Sequence, residues 1–152
     1  SLDNINISMK GGERTAGGLD VPELPAQYPE AWMFGTLPAF GFYARHVAGL
    51  TMRNVQVRWE AEDARPAMIF DDARDVQIDG FQASVPAGDA PLIRLHNTSA
   101  VFVRGAQVPP SAKLLVRVSG GESREIKIGD GLLRGVKAVA VDPDVPAAAI
   151  VH

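Results

Sequence analysis

The sequence predicts an all-β fold, a right-handed parallel β-helix built from coils of about 25 residues. Two observations carry this prediction. Four short segments repeat at that spacing with the same alternation of apolar and polar residues. The same turn-forming residue types also recur at the same point of each repeat. No segment shows a sustained helical period, so we expect no helix.

The repeated segments predict the strands. They read "GLTMRNVQV", "DVQIDGFQA", "AVFVRGAQV" and "EIKIGDGLL". The aligned apolar residues are Leu50, Val76, Val101 and Ile126, followed two positions later by Met52, Ile78, Val103 and Ile128. Because mostly polar residues lie between them, each segment is predicted to bury one face. A β-sandwich is the alternative, but its hairpins would not repeat the same turn chemistry every 25 residues or so.

Two corners are predicted in each coil. One is formed by residue types that tolerate a left-handed backbone, at Asn54, Gly80, Gly105 and Asp130. The other is formed by polar residues four positions before the aligned apolar ones, at His46, Asp72, Asn97 and Glu122. Asn4 precedes Asn54 by two repeat lengths, so the segment between them is expected to form one coil that is enlarged by an insertion.

The whole chain, 1–152, is predicted to be a single β-helix segment. A Pro- and aromatic-rich loop is inserted at about 10–41, and a C-terminal cap is expected at about 134–152. No amphipathic capping helix precedes "LDNINIS", so we expect the C-terminal part of a longer helix. Open strand edges near Ile5 and Ile7 should then favour self-association, or pairing with a missing N-terminal portion.

Composition argues against several classes of function. The formal net charge is −3 and no run of Lys or Arg occurs, so neither nucleic acid nor an anionic membrane is an expected partner. No apolar run is long enough to span a bilayer. The chain has no cysteine, which excludes disulfides and thiolate metal sites. No cofactor and no metal are expected.

One long run resembles a known family. The stretch from "VPELPAQYPE" through "FGTLPAFGFYARHV" to "ARPAMIFDD" is similar to the C-terminal coils of bacterial glycoside hydrolase family 28 proteins, the polygalacturonase-like, pectin-degrading enzymes. The resemblance covers about residues 2 to 108. It implies a secreted or periplasmic protein that acts on galacturonic-acid-containing polysaccharide with inversion, using one carboxylic acid and one carboxylate base.

The family's catalytic motifs are absent from this chain. Asn97-Thr98 is followed by Ser99 where the family has Asp, and neither His46 nor His96 is flanked by glycines. Glu125 precedes Ile126-Lys127 where the family has Arg. We therefore predict no catalytic residue here, and an isolated chain that cleaves no glycosidic bond.

The remaining polar residues have plainer interpretations. Asp71 and Asp72 are adjacent in a strand, so their side chains point to opposite faces and do not converge on one bond. We expect Asp72 to satisfy backbone amides at a corner, and we expect His46 and His96 to be corner or strand residues. The acidic turn of Glu60, Glu62 and Asp63 could bind a hard cation, but a solvated turn is favoured.

The inserted loop is the predicted site. The segment 21–47 holds six of the ten aromatic residues of the chain. Phe34, Phe40 and Phe42 are expected to pack on the coils. The candidate substrate-binding residues are Glu23, Tyr28, Glu30 and Trp32, because sugar rings stack on aromatic faces and carboxylates accept hydroxyl protons. The leading function is the non-catalytic end of a pectin-degrading glycoside hydrolase that binds poly- or oligosaccharide. The alternative is a carbohydrate-binding or structural β-helix of the adhesin or tailspike type.

Overall fold

The structure is a computed structural model that describes residues 1–28, 30 and 32–151. Over these residues the chain forms ten strands and no helix. The strands are β1 Leu2–Gly11, β2 Phe42–Arg45, β3 Ala48–Ala61, β4 Met68–Asp71, β5 Arg74–Ala83, β6 Ile93–His96, β7 Ser99–Arg104, β8 Leu114–Ser119, β9 Arg124–Ile128 and β10 Lys137–Val141. In that part of the chain, accordingly, no helix is available that could cross a membrane.

The strands stack into two parallel sheets. Sheet A has the order β1-β3-β5-β7-β9, and sheet B has the order β10-β8-β6-β4-β2. Every strand pairing is parallel. Each coil therefore contributes one strand to each sheet, and the fold is a parallel β-helix of about four coils of about 25 residues, as the sequence predicts.

The predicted repeat register is confirmed. Leu50 pairs with Val76, Val76 with Val101, and Val101 with Ile126. The core lies between the two sheets, where inward residues of both are buried. Its largest fully buried side chains from the strands are Met52, Ile78, Phe81, Ile126, Met68, Phe70, Ile93, Leu95 and Leu115. These contacts are the stabilising unit of the stack, because each coil buries its apolar face only against its neighbours.

The corner column in sheet A is confirmed at three of its four predicted positions. Asn54, Gly80 and Gly105 have φ of 50°, 75° and 66°. Asn4 joins the same column with φ of 56°, and its side-chain oxygen accepts a hydrogen bond of 2.9 Å from Asn54 Nδ2. Asp130 was wrongly predicted, since it is not among the left-handed residues. Strand β9 ends at Ile128, so the chain has already left the sheet where the turn was expected.

The corner column at the end of sheet B contains one error of prediction. His46, Asp72 and Asn97 have left-handed φ of 54°, 48° and 49°, as expected. The fourth member is Gly120, with φ of 90°, rather than Glu122. His96 pairs with Ser119 while Ser99 pairs with Arg124, so the fourth corner holds two additional residues. The sheet A spacing is kept because the path from Val103 to Val116 is two residues shorter than the equivalent path from Ile78 to Ile93.

A further left-handed column was not predicted. It lies at the start of the sheet A strands, one residue before each aligned apolar position. Its members are Gly49, Asp75, Ala100 and Glu125, with φ of 72°, 54°, 53° and 54°. Gly49 adopts this conformation freely and Asp75 tolerates it, whereas Ala100 and Glu125 are held there by the stack.

The inserted loop lies within one coil. β1 pairs directly with β3, with Leu2 opposite Met52, so the segment between them makes one turn of the helix and contains β2. Of the aromatic residues expected to pack on the coils, Phe40 is 2% exposed and Phe42 packs against the core. Phe34 is half-buried and lies on the wall of a cleft.

The C-terminal segment, where a cap was predicted, adds to both sheets. Lys137–Val141 pairs with β8. Further on, the amide of Ile126 donates to the carbonyl of Ala149 at 2.8 Å, and the amide of Val151 donates to the carbonyl of Ile126 at 2.8 Å. The last residues therefore cover part of the free edge of β9. His152 lies outside the described residues.

Candidate binding face on sheet B

The outward face of sheet B carries two lines of side chains that run across the coils. The register places Tyr43, Ile69, Arg94 and Arg117 on one line, and Arg45, Asp71, His96 and Ser119 on the other. Two clefts of about 500 Å³ each open along this face. We call them the loop cleft and the arginine cleft.

The loop cleft lies between the inserted loop and β2. Its apolar wall is supplied by Pro22, Leu24, Phe34 and Leu37 of the loop. Tyr43 and Arg45 of β2 form the opposite wall, together with His46. A cleft of this size with an apolar wall and a few polar groups is typical of a small-ligand site.

Arg45 fastens the loop to the sheet. Its Nε donates to Asp71 Oδ2 at 2.8 Å, and its two terminal nitrogens donate to the carbonyls of Val21 and Leu19 at 2.8 and 2.9 Å. The guanidinium also lies over the Tyr43 ring, 5.3 Å from the centroid. The Arg45 and Asp71 side chains are 15% and 12% exposed, so this ion pair is shielded from water.

Tyr43 completes this cluster as a hydrogen-bond donor. Its hydroxyl donates to Asp71 Oδ2 at 3.0 Å. Burial, reinforced by the adjacent Asp71 carboxylate, raises the pKa of Tyr43 well above its ordinary value. The phenol therefore keeps its proton at any physiological pH, and one oxygen of Asp71 accepts two hydrogen bonds.

His46 connects the loop to the corner of the next coil. Its Nε2 lies 3.0 Å from Glu23 Oε1, and its Nδ1 lies 2.6 Å from Asp72 Oδ2. The hydrogen bond with Glu23, and then that with Asp72, raises the pKa of His46. The carboxylate of Asp72 thus contacts an imidazole ring at this corner, where we had expected it to bind backbone amides.

A second clamp holds the base of the loop. Asp63 is fully buried and accepts hydrogen bonds from Arg65 Nη2 at 2.7 Å and from the Glu13 amide at 3.2 Å. Arg65 Nη1 donates in turn to the carbonyl of Leu37 at 3.0 Å. Burial raises the pKa of Asp63, but the hydrogen bonds from Arg65 and Glu13 outweigh burial and hold that pKa below its ordinary value.

The acidic turn is therefore only partly as predicted. Glu60 and Glu62 are exposed, whereas Asp63 is buried against its arginine partner and is not part of a solvated turn. Within the residues that the structure describes, no three His, Asp or Glu side chains come together in a way that could hold a metal ion.

The four predicted substrate-binding residues lie in two places. Glu23 lies on the loop cleft and forms ion pairs with His46 at 3.0 Å and with Arg45 at 3.5 Å. Tyr28 and Trp32 project from the loop and are 82% and 78% exposed. Glu30 is exposed between them in the chain, and its amide donates to Met33 Sδ at 3.2 Å.

The arginine cleft lies further along the same face. Its floor is the register line of Ile69, Arg94 and Arg117. Its rim is formed by connecting segments, including Pro66 and Pro91. The Nε atom of Arg94 is buried and has no hydrogen-bond partner.

Sequence reasoning missed the basic residues of this face. The repeated triplets Ile93-Arg94-Leu95 and Val116-Arg117-Val118 carried a signal, because each places one charge between two buried apolar residues. What the triplets do not reveal is that neighbouring segments form a cleft above the two charges.

The carboxylates of this face are already engaged. Asp71 pairs with Arg45, Asp72 with His46, Asp89 with Lys113 and Asp142 with Arg117. The face therefore presents alternating positive and negative groups that can form hydrogen bonds with a polar ligand.

The fold and this face define a parallel β-helix with an anchored, aromatic-tipped loop beside a partly basic groove. Compared with family models, with curated proteins and with solved structures, the chain has no match.

Proposed function

We propose that this chain binds a galacturonic-acid-containing polysaccharide along sheet B without cleaving it, as the non-catalytic part of a pectin-degrading β-helix protein. The observation that carries the proposal is the pair of aromatic side chains, Tyr28 and Trp32, exposed at 82% and 78% on a loop that is fixed at its base. An exposed aromatic ring presents a flat apolar face together with a polar hydroxyl or indole N–H group, both of which a sugar can contact.

Anchoring makes the loop a suitable platform. Arg45 holds the carbonyls of Leu19 and Val21, and Arg65 holds that of Leu37. A loop that is already ordered loses less conformational entropy when ligand binds. Aromatic rings then offer flat apolar faces to sugar rings, and Glu23 and Glu30 offer acceptors for hydroxyl groups.

The charge of the face favours an acidic sugar. The whole chain carries a net charge of −3, which by itself repels a polyanion. On the outward face of sheet B, Arg45 is paired with Asp71 and Arg117 with Asp142, whereas Arg94 has no carboxylate partner among the described residues and is available to the carboxylate of an acidic sugar. Affinity for polygalacturonate should therefore fall as salt is added. A polysaccharide of this kind is met outside the cytoplasm, so we place the protein in the secreted or periplasmic space.

The test is calorimetric titration of the chain with polygalacturonate and with neutral galactan. We expect saturable binding of polygalacturonate, weaker binding of galactan, and no release of reducing ends. Trp32→Ala should weaken binding about 2- to 12-fold, which corresponds to about 0.5–1.5 kcal/mol for one aromatic contact.

The matched control is Phe102→Ala, which removes an aromatic side chain from the outward face of sheet A. It should leave the affinity unchanged. Equal affinity of wild type and Trp32→Ala, or no binding of polygalacturonate at all, refutes the proposal. Release of reducing ends by the chain would show that it is an enzyme and not only a binding module.

A further inference from the structure

The arginine cleft places two cations next to each other. Arg94 and Arg117 are register partners on β6 and β8, so their backbones are about 4.8 Å apart. Both side chains line the cleft, with Ile69 beside them on the floor. Two like charges at neighbouring outward positions of a sheet repel each other unless a counter-ion joins them.

Arg94 has no hydrogen-bonded counter-ion among the described residues. Its Nε is buried without a partner. Burial, and then the charge of Arg117, lowers the pKa of Arg94, although Asp142 and Asp71 act in the opposite direction through space. A guanidinium remains protonated at any physiological pH. The result is a partly desolvated cation whose Nε donor is unsatisfied, which is unfavourable in the free protein.

The carboxylates around Arg94 are committed elsewhere. Asp142 receives Arg117 Nε at 2.9 Å, and Asp71 receives Arg45 Nε at 2.8 Å. Asp89, on the rim, pairs with Lys113. None of the three accepts a hydrogen bond from Arg94. The cleft therefore lacks one negative charge at its floor.

We propose that the arginine cleft is a binding site for an oxyanion, a carboxylate, sulfate or phosphate group, held by Arg94 with Arg117 beside it. The planar guanidinium presents paired donors that match two oxygens of such a group. The volume of about 500 Å³ exceeds what a single anion needs, so the cleft has room for the body of a small acidic ligand. Walls of alanine and proline, including Ala16 and Ala90, provide contact area but no competing side-chain donors.

The experiment compares four ligands by calorimetry and by the NMR signal of the Arg94 Nε–H group. The ligands are inorganic phosphate, inorganic sulfate, galacturonate and its neutral counterpart galactose. We expect saturable binding and a shifted Arg94 signal with galacturonate and at least one inorganic anion, and no effect of galactose. Binding of inorganic anions alone would assign the site to free anions, while binding of galacturonate alone would assign it to an acidic sugar.

The diagnostic variant is Arg94→Gln, with Arg104→Gln on sheet A as its control. Arg94→Gln should weaken anion binding at least 10-fold and leave the anion-free melting temperature unchanged or higher, because it removes a partly buried charge that has no ion-pair partner among the described residues. Arg104→Gln should bind as wild type does. A large fall in the melting temperature of Arg94→Gln would make Arg94 a structural residue and overturn the proposal.

The wild-type protein provides an independent test that requires no variant. If none of the three anions binds saturably or moves the Arg94 signal, the site does not exist. Failure here differs from failure of the polysaccharide proposal, because Trp32→Ala should lose polygalacturonate affinity and still bind the small anion.

Discussion

Sheet A and sheet B are built from the same coils, yet their outward faces treat charge differently. On sheet A, Arg53 pairs with Asp3 at 3.2 Å and Arg104 pairs with Asp79 at 2.6 Å, and all four side chains are well exposed. On sheet B, the Arg45–Asp71 pair is shielded, and Arg94 has no hydrogen-bond partner in the described part of the chain.

The difference shows what the connections between strands contribute. Both faces carry outward side chains in register across the coils, and on sheet B the inserted loop and other connecting segments form two clefts of about 500 Å³ around them. Removal from water strengthens the interaction of each charge with its partner and raises the free-energy cost of leaving a charge unpaired. A charge on sheet A is therefore a solvated surface group, whereas a charge on sheet B becomes part of a site.

The largest effect on the free energy of unfolding is expected when the shielded ion pair of sheet B is compared with an exposed ion pair of sheet A. Arg45→Met should cost about 3 kcal/mol in the free energy of unfolding, because it leaves the shielded Asp71 carboxylate without its cation and releases the loop. Arg104→Met on sheet A should cost less than about 1 kcal/mol. Chemical denaturation of both variants makes the comparison, and equal losses would show that the two faces do not differ.

A smaller effect on the free energy of unfolding is expected for substitutions at the left-handed corners of the two sheets. Gly120→Ala should cost about 2 kcal/mol or more, since φ is 90° and an added Cβ would lie 2.8 Å from the Asn97 amide nitrogen. Gly80→Ala should cost about 1 kcal/mol, because φ is 75° but the nearest atom is 3.5 Å away. Unfolding curves that rank the two variants the other way would contradict the corner assignment.

The unpredicted column in sheet A gives a stabilising substitution. Ala100 is exposed with φ of 53°, so Ala100→Gly should raise the free energy of unfolding by about 0.5 kcal/mol through relief of left-handed strain. Ala48→Gly is the control, because Ala48 is also exposed at the start of a sheet A strand but is not left-handed. It should lose about 0.5 kcal/mol. A loss in both variants would mean that Ala100 is unstrained.

The smallest effect is a pH dependence of the loop on sheet B. Glu23 and Asp72 raise the pKa of His46 in the folded protein. The contribution of protonated His46 to the stability of the folded protein is therefore fully present below pH 6.5, the ordinary pKa, and is lost as pH rises through the folded pKa. NMR titration of the ring should give a pKa above 6.5 that falls in Glu23→Gln. Chymotrypsin cleavage of the loop, relative to a His46→Gln variant at the same pH, should increase as pH rises. A ratio that is constant with pH would contradict this role.

Much of the β-helix could be predicted because the same residue types recur with the period of the coils. Apolar residues at Leu50, Val76 and their equivalents define the register, and Asn or Gly marks one corner. Glu122 was misplaced because the alignment ran unbroken through a turn with two additional residues. The column of Ala100 and Glu125 could not be foreseen, since neither residue type favours a left-handed backbone.

The site was less predictable, because burial outside the core depends on tertiary structure. The loop and its aromatic residues were recognisable from composition. In sequence, however, Arg94 resembles Arg53: each follows an apolar residue in a strand. Only the connecting segments around Arg94 distinguish them. Likewise, Asp63 belongs to an acidic run in the sequence. Its role as a clamp depends on its own contact with Glu13 and on the contact of its partner Arg65 with Leu37, and both are tertiary contacts.

The clamp at Asp63 and Arg65 makes the inserted loop an interchangeable unit. Both ends of the loop are fastened to the same short turn, at Glu13 and at Leu37. The register of the coils therefore does not depend on the chain between these two points. The free energy of closing such a loop grows only with the logarithm of its length. The segment from about 22 to 36, which follows the two carbonyls that Arg45 holds at Leu19 and Val21, can thus be lengthened, shortened or replaced while the stack stays intact. Variation among relatives should concentrate there, and grafting a different loop between the same two anchors is a direct route to a β-helix with a new ligand.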